Sequence, residues 1–219
     1  MTFRDRKEAG TKLAEKLVQY AKNPIVLVLG LARGGVAVAA EVARILDVPL
    51  DVFVVRKLGF PGHEELAIGA IASGGATVLD TEIIQGYGIP DEEVDAIQES
   101  ERRELERREH AYRDDEPPAD VIGRIVILVD DGIATGSSMR AAIAALRPRH
   151  PAKIVVAIPV APASTVHHIE REVDEVVCLS KPKDFLAVGE WYEDFQPVSD
   201  RDVRRLLEAA DLRLSVHAT

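Results

Sequence analysis

Two adjacent carboxylates, Asp130 and Asp131, end an apolar run from Ile125 to Val129 and lead into Gly132, Ile133, Ala134, Thr135, Gly136, Ser137 and Ser138. A buried strand that ends in acid and empties into a loop of small residues before a helix has a physical use. Loop N–H groups and the positive end of the helix dipole attract a phosphate, and the hydroxyls of Thr135, Ser137 and Ser138 can donate to it. The carboxylates can accept hydrogen bonds from sugar hydroxyls or hold a metal ion through water. Phosphate, sugar and metal together describe a phosphorylated pentose. Two other phosphate loops do not fit. Gly136 is followed by Ser137 where a P-loop needs lysine, and Gly132 with Gly136 does not make Gly-x-Gly-x-x-Gly. Taken alone, Asp-Asp-Gly is also compatible with a plain strand–turn–helix in which the aspartates merely cap.

Cations stand at two other strand ends. Arg33 precedes Gly34 and Gly35 after the apolar run 25–30, and paired glycines allow a ligand to approach the backbone closely. Arg56 and Lys57 follow the run 50–55, and two cations there suit a diphosphate. His63 follows in the same segment, either as a further cation or as an exposed loop histidine. Gly59, Pro61 and Gly62 are consistent with a hinged lid.

The elements that must position these groups alternate. Apolar residues Ala9, Leu13, Leu17, Val18 and Ala21 predict an amphipathic helix over 3–21, ended by Asn23-Pro24. Strands are expected at 25–30, 50–55, 125–129, 153–161 and 175–180, with helices at 36–46, 139–146 and 163–172 between them. Residues 66–72 and 76–79 read as a hairpin around Ser73-Gly74-Gly75. A long helix from Pro90 to Arg113 is closed by Pro117-Pro118. A last helix, 200–210, is capped by Ser199. Strands alternating with helices predict an α/β fold around a parallel sheet, whose ligands bind at the carboxyl ends of the strands.

The 219 residues suit one domain. A net charge of −10 counts against a general nucleic-acid binder. Much of the acid lies in 91–116, interleaved with arginines as a solvated helix face with pairs such as Glu99–Arg103 and Glu104–Arg108. No apolar run approaches the ~20 residues of a membrane span. The opening MTFRDRKEAG lacks the apolar stretch of a secretory signal. Cys178 is the single cysteine and lies in an apolar run, and adjacent His167-His168 are not spaced to share a metal. Together these features predict a cytoplasmic protein.

The thirteen residues ILVDDGIATGSSM closely resemble the ribose-phosphate motif of type I phosphoribosyltransferases. The likeness runs nearly the full length: FRDRKEAG, LARGGVAVAAEVA, VRKLGFPGHEELAIGAI and VGEWYEDFQPVSD resemble an uncharacterised branch of predicted phosphoribosyltransferases with no agreed substrate. The resemblance implies a single domain over 1–219, with a mostly parallel sheet flanked by helices. Its core would span about 22–180, with a lid loop over about 56–66 and a small hood from 181–200 with the N-terminal segment. The reaction implied is magnesium-dependent transfer of ribose-5-phosphate from phosphoribosyl pyrophosphate (PRPP) to a nitrogen nucleophile, releasing pyrophosphate, in a homodimer. Ala32, Arg33, Gly34 and Gly35 look like the pyrophosphate loop, and Arg33, Arg56 and Lys57 would neutralise the leaving diphosphate. Asp130 and Asp131 would hold ribose and magnesium. In the hood, Phe185 and Trp191 are candidates to stack on a base.

Two departures matter. Phe60 and Pro61 occupy the lid stretch and no further lysine follows, which puts a loop-lysine mechanism in doubt. Ala134 stands where enzymes for 6-oxopurines usually carry aspartate, so the motif resembles the adenine and orotate types. The alternatives are a non-catalytic PRPP-sensing regulator and another sugar-phosphate enzyme.

Overall fold

The computed structural model describes residues 1–60, 63–113 and 116–217, with the side chains of 63–66 and 214–217 excluded. In chain order the elements are α1 (Arg6–Glu15), β1 (Val26–Leu31), α2 (Gly34–Leu46), β2 (Leu50–Phe53), β3 (Val55–Phe60), β4 (His63–Ala72) and β5 (Ala76–Leu79). Then follow α3 (Thr81–Tyr87), α4 (Asp91–Arg113), β6 (Ile125–Val129), α5 (Ser137–Leu146), β7 (Lys153–Val160), α6 (Ala163–Glu170), β8 (Glu175–Ser180) and α7 (Asp200–His217).

The five apolar runs pair in parallel in the order β2-β1-β6-β7-β8. Continuous apolar runs form such strands because both faces are covered, and side chains alternate between the two covers. Val28 and Ile127 join one core with Leu13, Val42 and Val203, beneath α1, α2 and α7. Leu27, Leu29, Val126 and Leu128 join the other with Met139, Ile143 and Val166, beneath α5 and α6. The expected α/β sheet is therefore present, and β3-β4-β5 form a second, antiparallel sheet that packs against α4 and α5.

Four expectations are corrected. The helix over 3–21 stops at Glu15 and gives way to a tight turn at Val18–Tyr20. Leu17 and Tyr20 are buried there, while Val18, expected to pack, is 63% exposed. The helix after the acidic loop starts at Ser137, two residues early, because Gly136 (φ 83°) turns the chain directly into it. An unforeseen α3 is closed by the Asp80 carboxylate, which accepts from the Ile83 N–H, and by left-handed Gly88 (φ 64°). Lastly, the segment 56–66, expected as a lid loop, is largely strand: β3 and β4 form an antiparallel hairpin with register irregularities at Leu58/Gly59 and Gly59/Phe60. Buried Leu58, Ile68 and Ile71 hold that hairpin to the core, an anchor a polar loop would not have. Pro61 and Gly62 lie outside the described residues.

One buried ion pair locks the frame. Arg113 Nε meets Asp51 Oδ1 at 2.8 Å, with side chains 6% and 13% exposed. The other Asp51 oxygen accepts the Ala119 N–H at 2.9 Å. The end of α4, the edge strand β2 and the approach to β6 thus share one carboxylate. Asp51→Ala leaves Arg113 Nε and the Ala119 amide without their acceptor while Arg113 keeps Glu109 and the Val52 carbonyl, and is expected to cost about 2–3 kcal/mol in urea unfolding.

Candidate active site

β1 and β6 are neighbours in parallel, with Gly30 opposite Val129, so their carboxyl ends deliver two loops side by side. One is Ala32–Gly35, which runs into α2; the other is Asp130–Gly136, which runs into α5. The loops touch only because of glycine. A Cβ on Gly35 would stand 2.6 Å from the Val129 carbonyl oxygen and 2.9 Å from the Asp130 Cα, and one on Gly34 would stand 1.9 Å from Asp131 Oδ2. The Ala32–Arg33 peptide is cis, a feature with no signal in the sequence.

The acids share a crowded corner. The Asp131 N–H donates to Asp130 Oδ1 at 2.9 Å. Burial pushes the Asp130 carboxyl well above the usual carboxylate range, and the neighbouring Asp131 charge adds to this. Burial raises Asp131 as well, opposed by the Arg6 guanidinium, whose Nε donates to Asp131 Oδ2 at 2.8 Å. The Tyr192 hydroxyl donates to the Asp131 carbonyl at 2.5 Å.

The acidic loop is anchored from below and open above. Ile133 is buried and its N–H donates to the Val160 carbonyl, while the Ala134 carbonyl accepts from the Thr165 hydroxyl at 2.8 Å. Ala134, Thr135, Ser137 and Ser138 are exposed at the mouth of α5. Thr135 Oγ1 and Ser137 Oγ lie 3.0 Å apart. Exposed hydroxyls beside a helix N-terminus suit an anion.

The cations divide. Arg33 is half exposed and reaches Asp200 at 3.5 Å. Arg56 and Lys57, adjacent on β3, point to opposite faces of its sheet. Arg56 pairs with Glu101 of α4 at 2.6 Å. Lys57 lines a cleft of about 530 Å³ with Ser137, Arg140, Asp80 and Thr81. The structure therefore brings Lys57, and not Arg56, to the acidic loop's helix. The His63 side chain lies outside the described residues.

The strap after β8 closes one end. Phe3 forms a bridge with Tyr192, and its N–H and carbonyl bond to Trp191 and Glu193, each at 2.8 Å. The N-terminal segment and the strap thus make one unit. Phe185 and Trp191 stack on each other, with centroids 6.4 Å apart and planes at 10°. Trp191 Nε1 is buried and, among the described residues, has no hydrogen-bond partner. Val188 covers the acidic loop: a Cβ on Gly132 would lie 2.5 Å from its Cγ1. Arg6, Tyr192 and Val188 escaped the sequence analysis. Arg6 lay in a charged stretch and Tyr192 among clustered aromatics, neither with a spacing that marks a ligand site.

Among the described residues no helix is long and apolar enough to cross a membrane. The family model described as the phosphoribosyl transferase domain matches residues 3–196. Mycobacterium tuberculosis strain H37Rv has a relative named "Putative phosphoribosyl transferase", 43% identical over 208 residues, which are 95% of this chain and 47% of that protein. The same figures hold for its counterpart in strain CDC 1551. The chain therefore spans about half the length of the curated relatives it matches. The crystal structure of TT1426 from Thermus thermophilus shares 45% identity over 94% of this chain and 98% of that one, with a TM-score of 0.84. The AQ2163 protein of Aquifex aeolicus, at 12% identity and a TM-score of 0.50 over 80% of this chain and 73% of that one, shares the fold alone. With the acidic loop, the glycine-bearing loop and the strap after β8 assembled at the carboxyl ends of a parallel sheet, the chain belongs to the phosphoribosyl transferase domain family.

Proposed function

We propose that the protein is an enzyme that transfers ribose-5-phosphate from PRPP to a nitrogen nucleophile, a nucleobase or similar, and releases pyrophosphate. The observation that carries this reading is the contact of two ligand loops across neighbouring strands, Gly34 on Asp131 and Gly35 on Asp130. A phosphorylated sugar bearing a second phosphate group spans such a corner; a simple sugar phosphate needs only one of the loops.

In this reading the exposed hydroxyls of Thr135, Ser137 and Ser138, with the N–H groups opening α5, hold the 5′-phosphate. Asp130 and Asp131 accept the ribose hydroxyls and lie beneath a ring that gains positive charge as the diphosphate departs. Arg33 and the N–H groups of Gly34 and Gly35 receive the diphosphate, and Lys57 adds charge from the hairpin side. Arg56 reaches the diphosphate only by leaving Glu101. The described residues contain no group of three or more metal-ligating side chains. Two carboxylates beside a diphosphate site nevertheless fit magnesium, which keeps much of its water shell and binds through one or two carboxylates plus substrate phosphates. When bound there it would offset the charge of the leaving diphosphate. Val188, which covers Gly132, would form with Phe185 and Trp191 the wall against which an acceptor rests, and Ala134 offers no carboxylate to a 6-oxopurine. Cytoplasmic location and a homodimer are part of the same proposal, supported by the composition and the family resemblance.

The test is a calorimetric titration of PRPP with and without magnesium, followed by pyrophosphate release against a panel of nucleobases and small amines. Magnesium-dependent binding with release for one acceptor is the expected result. Binding without release from any acceptor identifies a PRPP sensor, and absence of binding overturns the assignment.

A further inference from the structure

Arg6 lies in the first turn of α1, and its guanidinium is a junction of three segments. Nε donates to Asp131 Oδ2 at 2.8 Å, and Nη1 donates to the Gln196 carbonyl at 2.8 Å. Its Cζ stands 3.9 Å from the Phe195 ring centroid and 6.0 Å from that of Tyr192. The pair is nearly closed to solvent, with Arg6 and Asp131 side chains 12% and 13% exposed. It also lies against the glycine-bearing loop, since a Cβ on Gly34 would be 1.9 Å from Asp131 Oδ2 and 3.3 Å from Arg6 Nε. Hood strap, acidic loop and diphosphate loop therefore meet at one ion pair.

We propose that Arg6 is a positioning residue for PRPP: it fixes the Asp131 carboxylate beside Asp130 at the ribose site and ties the strap after β8 to that site. The inference rests on the reading of this corner as a PRPP site. Asp130 and Asp131 are unequal in the structure. Asp131 is held at its carboxylate by Arg6 and at its carbonyl by Tyr192, whereas the Asp130 side chain accepts from the neighbouring Asp131 N–H. The strap is also anchored through the Phe3 backbone and Tyr192, so loss of Arg6 loosens it without releasing it. What Arg6 adds is a charge on Asp131 beside a second carboxylate. Without it the Asp131 carboxylate is a nearly buried charge with no cation beside it, and its side chain turns away from Gly34.

The experiment compares PRPP binding in the presence of magnesium for the wild type, R6K, R6Q, D131N and the double variant R6Q/D131N, with thermal unfolding as a control. R6Q is expected to bind PRPP about tenfold more weakly or worse, as for loss of a charge-assisted hydrogen bond. R6K, which keeps the charge, is expected to recover a large part of that loss, and R6Q/D131N to bind no more weakly than D131N. Binding by folded R6Q within twofold of the wild type overturns the proposal. So does an R6Q defect that R6K does not relieve and that multiplies with D131N, because that marks a merely structural contact. Amide exchange in the unliganded proteins separates this proposal from the PRPP reading. Faster exchange in R6Q over both 130–134 and 188–196 supports the tether even if the wild type fails to bind PRPP; unchanged exchange in both segments overturns it.

Discussion

Asp130→Asn is expected to abolish PRPP binding and, at the same time, to raise the melting temperature. The carboxyl is desolvated and faces a second acid, so its charged form is unfavourable in the unliganded fold. Asparagine keeps the oxygen that accepts the Asp131 N–H. Its amide N–H can donate to the neighbouring Asp131 carboxylate. The fold thus loses a like-charge contact and no hydrogen bond. A gain of about 1–2 kcal/mol, on the order of 2–8 °C in a chain of this size, is expected in calorimetric unfolding at neutral pH. The sign with pH follows from the raised value. Between the ordinary carboxylate range and the higher folded value, the folded state binds more protons than the unfolded one, so wild-type stability falls as pH rises through that window. The asparagine variant lacks this loss, and its advantage grows from acid toward neutral pH. Binding moves the opposite way. A neutral amide cannot serve a ribose hydroxyl and a magnesium ion as a carboxylate does, so PRPP binding in the presence of magnesium is expected to fall below detection, and turnover with it. A variant that is less stable than the wild type at neutral pH would refute the account of the acid pair.

The parts of this site that follow one another along the chain were legible before any coordinates. An apolar run, two acids and a loop of small hydroxyl residues imply where a strand stops and a helix starts, and apolar runs separated by helical spacing imply a parallel sheet. Groups that meet only through folding were not. Arg6 and Asp131 are 125 residues apart, and a lone arginine among charged residues carries no periodic signal. Phe185 and Trp191 were candidates to stack on a base, yet they stack on each other, since partner choice in an irregular strap depends on its closure. Arg56 and Lys57 are intermediate. Once residues 55–60 are recognised as strand, the two-residue alternation separates them, but the run of Gly and Pro after them reads as loop. The helix α3 carried its caps, Asp80 and Gly88, openly in the sequence. Its apolar residues Ile83 and Ile84 are only partly buried, and a run of seven residues is too short for helical spacing to stand out.

Gly34→Ala separates the role of space from the role of backbone conformation. Gly34 has no positive φ, so an alanine there is not strained by its dihedrals. Its Cβ would instead stand 1.9 Å from Asp131 Oδ2, 2.7 Å from Asp131 Cγ and 3.3 Å from Arg6 Nε. Asp131 has to swing aside, which breaks the Arg6 pair and opens the corner where the two loops meet. A loss of about 2–4 kcal/mol in stability and about a hundredfold in PRPP affinity is expected. Gly35→Ala provides the contrast. Its Cβ would meet backbone, the Val129 carbonyl at 2.6 Å and the Asp130 Cα at 2.9 Å, and backbone in a buried strand end cannot rotate away. Gly35→Ala should therefore destabilise the fold more than Gly34→Ala does. Gly86 in α3 calibrates both, because a Cβ there meets nothing within 4 Å. Gly86→Ala is expected to stabilise by about 0.5–1 kcal/mol through helix propensity and to leave PRPP affinity unchanged. Chemical unfolding and calorimetric titration on the three variants give two rankings. If Gly34→Ala bound PRPP as tightly as Gly86→Ala, Asp131 would not be the carboxylate whose placement the site depends on, and the contact between the two loops would be packing alone.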